Sequence, residues 1–449
     1  MRNFKVLILI HSLLIYSILI APTVNAEEYK FPAQNSVDAV FVSLQDANDD
    51  SDDAKKEPNE DKNKEEKPEE KKPTRLSGTR LARAELLAKV DTFTQRRIVN
   101  MWGDFFDGIP QSFEFGDALD FPESWNIGTA VVPGTEFAIP QLGGLSTRRV
   151  KLAENSSPIP SDRWLFNYNH FSNVTELGDI DRYTFGFEKT FDEGLKSLEV
   201  RFPFAHTLSS DQTLTTNEVD PPVISRRFRT EPGNLTLTYK SVIRGFDDGL
   251  MTAGLGIGLP TANDLRLFND DSQVLLQVEN NSASLMPYIG FVKTPNDRLV
   301  LQGIVQADFA TQANKISSAG ADISDGLLPA GTIERIPHLY FDLALAYRLT
   351  DADNKAITQI TVFTELHYSL GMRDSETLNL FETGPLASAD SQAFRLQDSE
   401  RIGALNLTAG AVFQINETMS IRPAVSVPLN ENVGNMYDYE FGVQLNILR

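Results

Sequence analysis

The closing stretch Tyr437-Asp-Tyr-Glu-Phe-Gly-Val-Gln-Leu-Asn-Ile447 decides how this chain folds. Drawn as an extended strand, it sets Tyr437, Tyr439, Phe441, Val443, Leu445 and Ile447 on one side and Asp438, Glu440, Gly442, Gln444 and Asn446 on the other, because successive strand side chains alternate between faces. One face is apolar, the other polar, and the run matches the roughly 9–11 residues that a tilted strand needs to cross a bilayer. The pattern recurs. Leu299, Leu301, Val305, Ala307 and Phe309 alternate with Gln302, Gln306 and Asp308, and Leu405, Leu407, Ala409, Ala411 and Phe413 with Asn406, Thr408, Gly410 and Gln414. Repeated in this way it predicts an all-β chain closed into a transmembrane antiparallel barrel, lipid outside and water inside, which leaves no backbone group unpaired in hydrocarbon.

Working outward, candidate strands fall at 162–172, 182–190, 195–205, 234–244, 250–260, 284–293, 298–310, 337–349, 356–369, 403–415, 419–429 and 437–448. That makes about twelve, or fourteen on a looser count. Tight turns at Asp192-Glu-Gly, Gly245 to Gly249, Thr294 to Asp297, Asp351 to Asn354 and Asn416-Glu-Thr alternate with longer connections at 173–181, 206–233, 261–283, 311–336, 370–402 and 430–436. Short turns on one side and long loops on the other are the asymmetry of an outer-membrane barrel. Val274-Leu-Leu-Gln-Val278 is strand-like, yet counting it in the barrel breaks the alternation, so it is read as loop. A soluble β-sandwich also alternates, but with strands nearer 5–6 residues and without this loop asymmetry. Trp164, Tyr183, Phe204, Tyr239, Tyr347, Tyr368 and Tyr439 lie near strand ends, where a barrel carries its interfacial girdles. Against the barrel, the chain ends Ile447-Leu-Arg449 rather than in the Phe of many outer-membrane proteins.

The front end agrees with export. Arg2 and Lys5 precede an apolar run from Val6 to Ile20, and Val24-Asn-Ala26 supplies small residues before a cleavage point, so 1–26 reads as a signal peptide. Both barrel termini then face the periplasm. Residues 27–76 form an acidic and lysine-rich segment, nearly free of apolar side chains from 46 onward, that cannot offset its ordering entropy and reads as disordered. Asp46-x-Asn48-x-Asp50 with Glu57 imitates a calcium loop, but Ser51 stands where the turn needs Gly. In 77–150, a short helix is expected at 81–90 from Leu86, Leu87 and Val90 at helical spacing. Residues 97–150 are apolar but irregular, and stay open between a plug, early strands and a periplasmic cap. The barrel occupies 151–449. There is no cysteine, hence no disulfide or thiol metal site, and a net charge of −21 repels nucleic acid. Asn-x-Ser/Thr sequons such as Asn155, Asn173 and Asn234 read as chance.

The runs Arg149-Val-Lys-Leu-Ala-Glu-Asn-Ser-Ser-Pro-Ile-Pro-Ser-Asp-Arg163, Phe166-Asn-Tyr-Asn-His-Phe171, Phe185-Gly-Phe-Glu-Lys-Thr-Phe191 and Leu198-Glu-Val-Arg-Phe-Pro203 resemble the β-barrel porin families of planctomycete-type bacteria. Gly254-Leu-Gly-Ile-Gly-Leu-Pro260, with Pro287-Tyr-Ile-Gly290, is similar to outer-membrane channel-like barrels associated with uptake of organic compounds. These motifs cover about 150–300. They support the barrel fold more than any substrate, and with the strand pattern the expected protein is a barrel passing small solutes, without enzyme activity or cofactor, in contact with outer-membrane lipid, alone or as a homo-oligomer.

Two other readings stay open. His170-Phe-Ser172-Asn173 resembles the His-x-Ser-Asn of outer-membrane phospholipases and lipid A deacylases, where a His and a Ser two apart on one strand face transfer a proton. Here Val174 replaces the Gly of that pattern, and Thr184 stands where an orienting Asn belongs. The third reading is a filled barrel that anchors surface loops. His206, His338 and His367 lack a carboxylate at ligand spacing, so no metal is expected. Gly254, Gly256 and Gly258 lack the helix and Lys of a phosphate loop and instead make room in the lumen. Pointing inward by parity are Glu188, Glu199, Arg201, Lys240, Gln302, Gln306, Asp308, Asp342, Arg348, Glu365, His367, Arg422, Glu440 and Gln444. With both charge signs, they would form either a pore lining with a transverse field or a closed ion-pair network.

Overall fold

The computed structural model describes residues 83–90, 100–104, 111–115, 136–139, 151–174, 178–208, 210–215, 223–226, 229–319, 323–351, 357–373, 394–396, 403–430 and 437–449. The expected signal peptide (1–26) and acidic segment (27–76), with its calcium-like loop, lie outside them.

Twelve antiparallel strands form one ring: β1 Arg163–Val174, β2 Gly178–Phe191, β3 Lys196–Leu208, β4 Leu235–Phe246, β5 Gly249–Leu259, β6 Ser284–Lys293, β7 Leu299–Ala310, β8 His338–Asp351, β9 Gln359–Gly371, β10 Gly403–Gln414, β11 Met419–Pro428 and β12 Tyr439–Leu448. Each pairs with its sequence neighbours, and β12 closes on β1, with Val443 opposite Tyr168. The long segments thus belong to a single up-and-down barrel without free edges.

The faces are inverted relative to a soluble protein. On β2, Phe185 is 51% exposed and Glu188 3%. In a sandwich the aromatic would be the core and the carboxylate would meet water. Trp164, Phe187, Phe202, Leu255, Ile289, Val305, Phe341, Leu343, Leu366 and Phe441 also stand outward, while Asn167, Arg182, Thr238, Gln302, Ser369 and Ser426 are buried. An apolar exterior around a polar interior is stable only with lipid outside. One expected position moves: Tyr437 precedes β12 and is buried against Phe171, ring centroids 5.7 Å apart, rather than facing lipid. The chain turns inward there because Asp438 donates its N–H to the Ser172 carbonyl before the ladder begins.

Tight turns join β2–β3, β4–β5, β6–β7 and β10–β11, with Asp192, Glu193 and Gly194 all at positive φ in the first. The long connections build structure of their own. Leu327–Ile333, Asn314–Ala319, Val274–Val278, Leu265–Phe268, Asp211–Thr215 and Val223–Arg226 pair in that order into a six-stranded sheet at the far end. Val274–Val278 is therefore a strand, but of the loop sheet and not of the barrel wall.

At the short-turn end the helix 83–90 packs Leu86, Leu87 and Val90 on Leu195, Val242, Leu250 and Val292. Arg83 bridges to Asp192 (2.6 Å) and Glu193 (3.2 Å), and Lys89 donates to the Phe246 carbonyl at 2.5 Å.

Candidate functional site

The interior is occupied by the chain's own N-terminal part. Residues 100–104 and 151–161 run antiparallel inside the ring, joined by the Met101–Ser156 bridge and by the Asn155 N–H to the Trp102 carbonyl at 3.1 Å. The Asn100 carbonyl meets Arg422, close to the β10–β11 turn, whereas Asp104 meets Asn406 (2.7 Å) and His367 (3.6 Å) farther up the wall. Residues 100–104 therefore ascend from the short-turn end. Lys151 begins the return beside Asp342, and Ser161 ends it at Glu188, just short of the β2–β3 turn. Between the two passes, Gln111–Phe115 pairs with Glu136–Ile139 and with Phe394–Leu396, which belongs to the long β9–β10 connection. Of the irregular stretch 97–150, the described residues 100–104 lie inside the ring, and Gln111–Phe115 and Glu136–Ile139 are strands paired with the β9–β10 connection.

Small residues in the wall make the room. A Cβ on Gly442 would lie 2.7 Å from the Trp102 ring, and one on Gly254 2.4 Å from the Tyr288 ring that leans across it. Gly103, at φ +89°, lets the two inner passes touch, since a Cβ there would sit 2.5 Å from the Glu154 Cα. Between filling and wall remains a cavity of ≈ 10 Å³, lined by Lys151, Leu152, Arg201, Thr236, Thr238, Gly256, Met286 and Gln306. That is the room of about one water.

All the inward residues expected from the sequence are buried except Arg348, which is half-buried toward the short-turn end. Most of them bind the filling. Glu365 accepts the N–H groups of Trp102 and Gly103; Gln306 accepts that of Leu152 at 2.9 Å; Gln302 accepts the Ser157 hydroxyl at 3.0 Å; Gln444 donates to the Trp102 carbonyl at 2.7 Å. Arg201 donates to the Glu154 carbonyl, and Lys240 to the Ser156 hydroxyl at 2.8 Å. Around them the wall pairs with itself: Arg163 with Glu188 (2.9 Å) and Glu199 (2.7 Å), Arg201 with Glu199 (2.6 Å), and Lys240 with both carboxylates. Glu440 accepts from Asn169 at 2.7 Å, and Asp308 sits opposite His338 in the ladder. Arg422 is held by the Gln444 (3.0 Å) and Asn155 (3.2 Å) side-chain oxygens and by two backbone carbonyls, stacking over Phe363.

Arg163 and Arg182 complete the set and were not singled out from the sequence, although parity was available: Arg182 shares a face with Thr184 and Glu188. No periodic signal marks Lys151, Glu154 or Asn155, which lie outside any strand. Asn155, a sequon residue, is fully buried and bonded to Asn167, Arg163 and Asn446.

The histidines differ. His206 is exposed beside Thr230, and His338 stacks on Tyr340. Contrary to the expectation from sequence, His367 has a carboxylate at close spacing: Glu365, two residues earlier on the same face of β9, lies 3.2 Å from Nε2, and the fold adds Asp342 at 2.8 Å and Asp104 at 3.6 Å from Nδ1. Asp104, Asp342 and His367 would suit a cation. That charge is supplied by Lys151, whose Nζ lies 2.7 Å from each aspartate. His170 and Ser172 stand on the outer face, half-exposed. His170 Nδ1 meets Asp181 at 3.0 Å, which also accepts the Tyr168 hydroxyl, while Thr184 points into the lumen. Among the described residues Ser172 Oγ has no hydrogen bond to His170, so the pair lacks the proton-transfer contact a nucleophile needs.

No family model matches the chain, and no curated protein does. Among solved structures, an outer membrane channel from Pseudomonas putida F1 is similar at 12% identity and TM-score 0.38, covering 65% of this chain and 97% of that one. The NanC porin (6%, TM-score 0.33) covers 64% of this chain and 98% of its own; the KdgM porin, solved with disordered oligogalacturonate, is 8% identical at TM-score 0.33, covering 64% and 99%. The barrel itself rests on this chain's own strand pairing.

Proposed function

We propose that this protein passes small solutes across an outer membrane through its barrel, which the inner passes close in the state described. One observation carries the reading: the twelve wall ladders close without any residue of 100–104 or 151–161. Among the described residues 100–104 and 151–161, the contacts with the wall are made through side chains, the bridge joining only the two passes to each other, so the filling can shift without opening the ring. A barrel whose interior is charged and hydrogen-bonded offers a water-compatible path once cleared. The long connections face outward and the short turns the periplasm, with no catalytic group required. Membership of the planctomycete-type porins is supported by the quoted motifs alone.

Planar-bilayer recording on the full chain tests the reading. Discrete openings are expected against a mostly silent baseline; a permanently silent membrane overturns it. Permanent silence would favour the anchor reading, for which the specific observation is that Gln111–Phe115 pairs both with Glu136–Ile139 and with Phe394–Leu396 of the long β9–β10 connection.

A further inference from the structure

Much of the buried charge of the wall is sorted by side, with Arg422 of β11 and Glu440 of β12 lying between the two groups and Asp308 of β7 beside the acidic one. On β1–β4 the buried cations Arg163, Arg182, Arg201 and Lys240 outnumber the carboxylates Glu188 and Glu199. Across the ring, β8 and β9 carry Asp342 and Glu365 at mid-height, with His367 between them as the basic group. Arg348, the other cation of that arc, lies near the short-turn mouth. Opposed walls of opposite sign, in a narrow low-dielectric tube, set up a field across the lumen rather than along it.

The filling is charge-matched to that field. Lys151 places its ammonium 2.7 Å from Asp342 on the acidic side. Three residues later Glu154 places its carboxylate 2.9 Å from Arg182 on the basic side, with Asn167 donating to the same oxygen at 3.1 Å. One short stretch of chain thus spans the lumen as an ammonium and a carboxylate. When it leaves, Asp342 loses Lys151 while keeping His367, and Arg182 loses the Glu154 carboxylate. In the cleared lumen these charges face the solute path from opposite walls, so an occupant that carries both complementary charges is favoured. An anion or a cation satisfies one wall and is repelled by the other. A zwitterion satisfies both.

Resting on the passage reading above, we propose that the cleared lumen selects small zwitterionic solutes, of the amino-acid type, carried with the ammonium toward Asp342 and Glu365 and the carboxylate toward Arg182 and Arg201. Lys151 and Glu154 occupy that solute's place in the closed state.

The test is swelling of proteoliposomes containing the full chain, in serine and in erythritol, a neutral polyol of comparable size. Serine is expected to enter several-fold faster. Arg182→Gln and, on the opposite wall, Asp342→Asn should each bring the ratio of serine to erythritol entry down to about one, whatever they do to how often the lumen opens, with folding of both variants verified by heat-modifiable gel mobility. Equal rates in the unmodified protein overturn the zwitterion inference and leave passage standing. Swelling with neither solute overturns both. A serine preference that survives in both folded variants also overturns it, because the field would not be its cause.

Discussion

Glu365 holds the backbone of Trp102: the carboxylate on β9 accepts the Trp102 N–H at 2.6 Å with one oxygen and the adjoining Gly103 N–H at 2.8 Å with the other. A wall side chain thereby satisfies two consecutive amides that no ladder serves. Removing it leaves both donors buried without an acceptor, at about 1–3 kcal/mol each. Glu365→Ala should therefore loosen the filling while the ring stays closed. Single-channel recording should show a higher open probability than in the parent, and Glu365→Gln, which keeps one acceptor oxygen, an intermediate one. Unchanged opening in both would mean that the latch does not hold the closed state.

Gly442 is the place where the wall yields to Trp102, whose ring would lie 2.7 Å from a Cβ there. Gly442→Val is expected to expel the indole from its site among Ala346, Phe363, Val412 and Ala424. Emission from Trp102, isolated by replacing Trp125 and Trp164 with Phe, should shift to the red. A blue-emitting Trp102 in a folded Gly442→Val protein would contradict the placement.

The lipid face can be checked one residue further on. Val443 points outward on β12 between the buried Gly442 and Gln444. Arg at a lipid-facing midplane position costs about 2–4 kcal/mol, so Val443→Arg should lower outer-membrane yield and the denaturant midpoint, and Val443→Leu neither. Equal tolerance of both would mean that β12 does not span as described.

At the short-turn end, hydrogen bonds from Arg83 and Lys196 hold the Asp192 carboxyl below the usual carboxylate range. A depressed carboxylate contributes above its unfolded value, about 3.9, and the contribution is lost as pH falls through the lower folded value. Docking of the helix 83–90 on this turn should thus be level from pH 7 to about 5 and weaken only below about pH 4. Limited proteolysis of the helix across that range checks it, and Asp192→Asn should show the acid-like accessibility already at neutral pH.

The outer-face pair of His170 and Ser172 is expected to be structural. His170→Ala should disturb the contact with Asp181, 3.0 Å away, and Ser172→Ala little at all. Purified protein should release no fatty acid from phospholipid or lipid A, by mass spectrometry. Serine-dependent release would restore the hydrolase reading.

The sequence by itself determined the wall. A strand's side chains alternate by covalent geometry alone, so the parity of Tyr439, Phe441 and Val443 against Glu440, Gly442 and Gln444 fixes both faces without knowledge of any partner. The alternation of short turns with long connections then fixes how neighbouring strands pair. What only the tertiary structure decided is what fills the ring. Trp102 donates its indole N–H to a carbonyl 320 residues away, and its N–H to a carboxylate 263 residues away. Such contacts obey no period, because irregular backbone takes its conformation from the groups that satisfy it rather than from a ladder. The same reason hid Asp104 and Asp342 beside His367 and the role of Val274–Val278, whose strand character was local but whose partners, Leu265–Phe268 and Asn314–Ala319, were not.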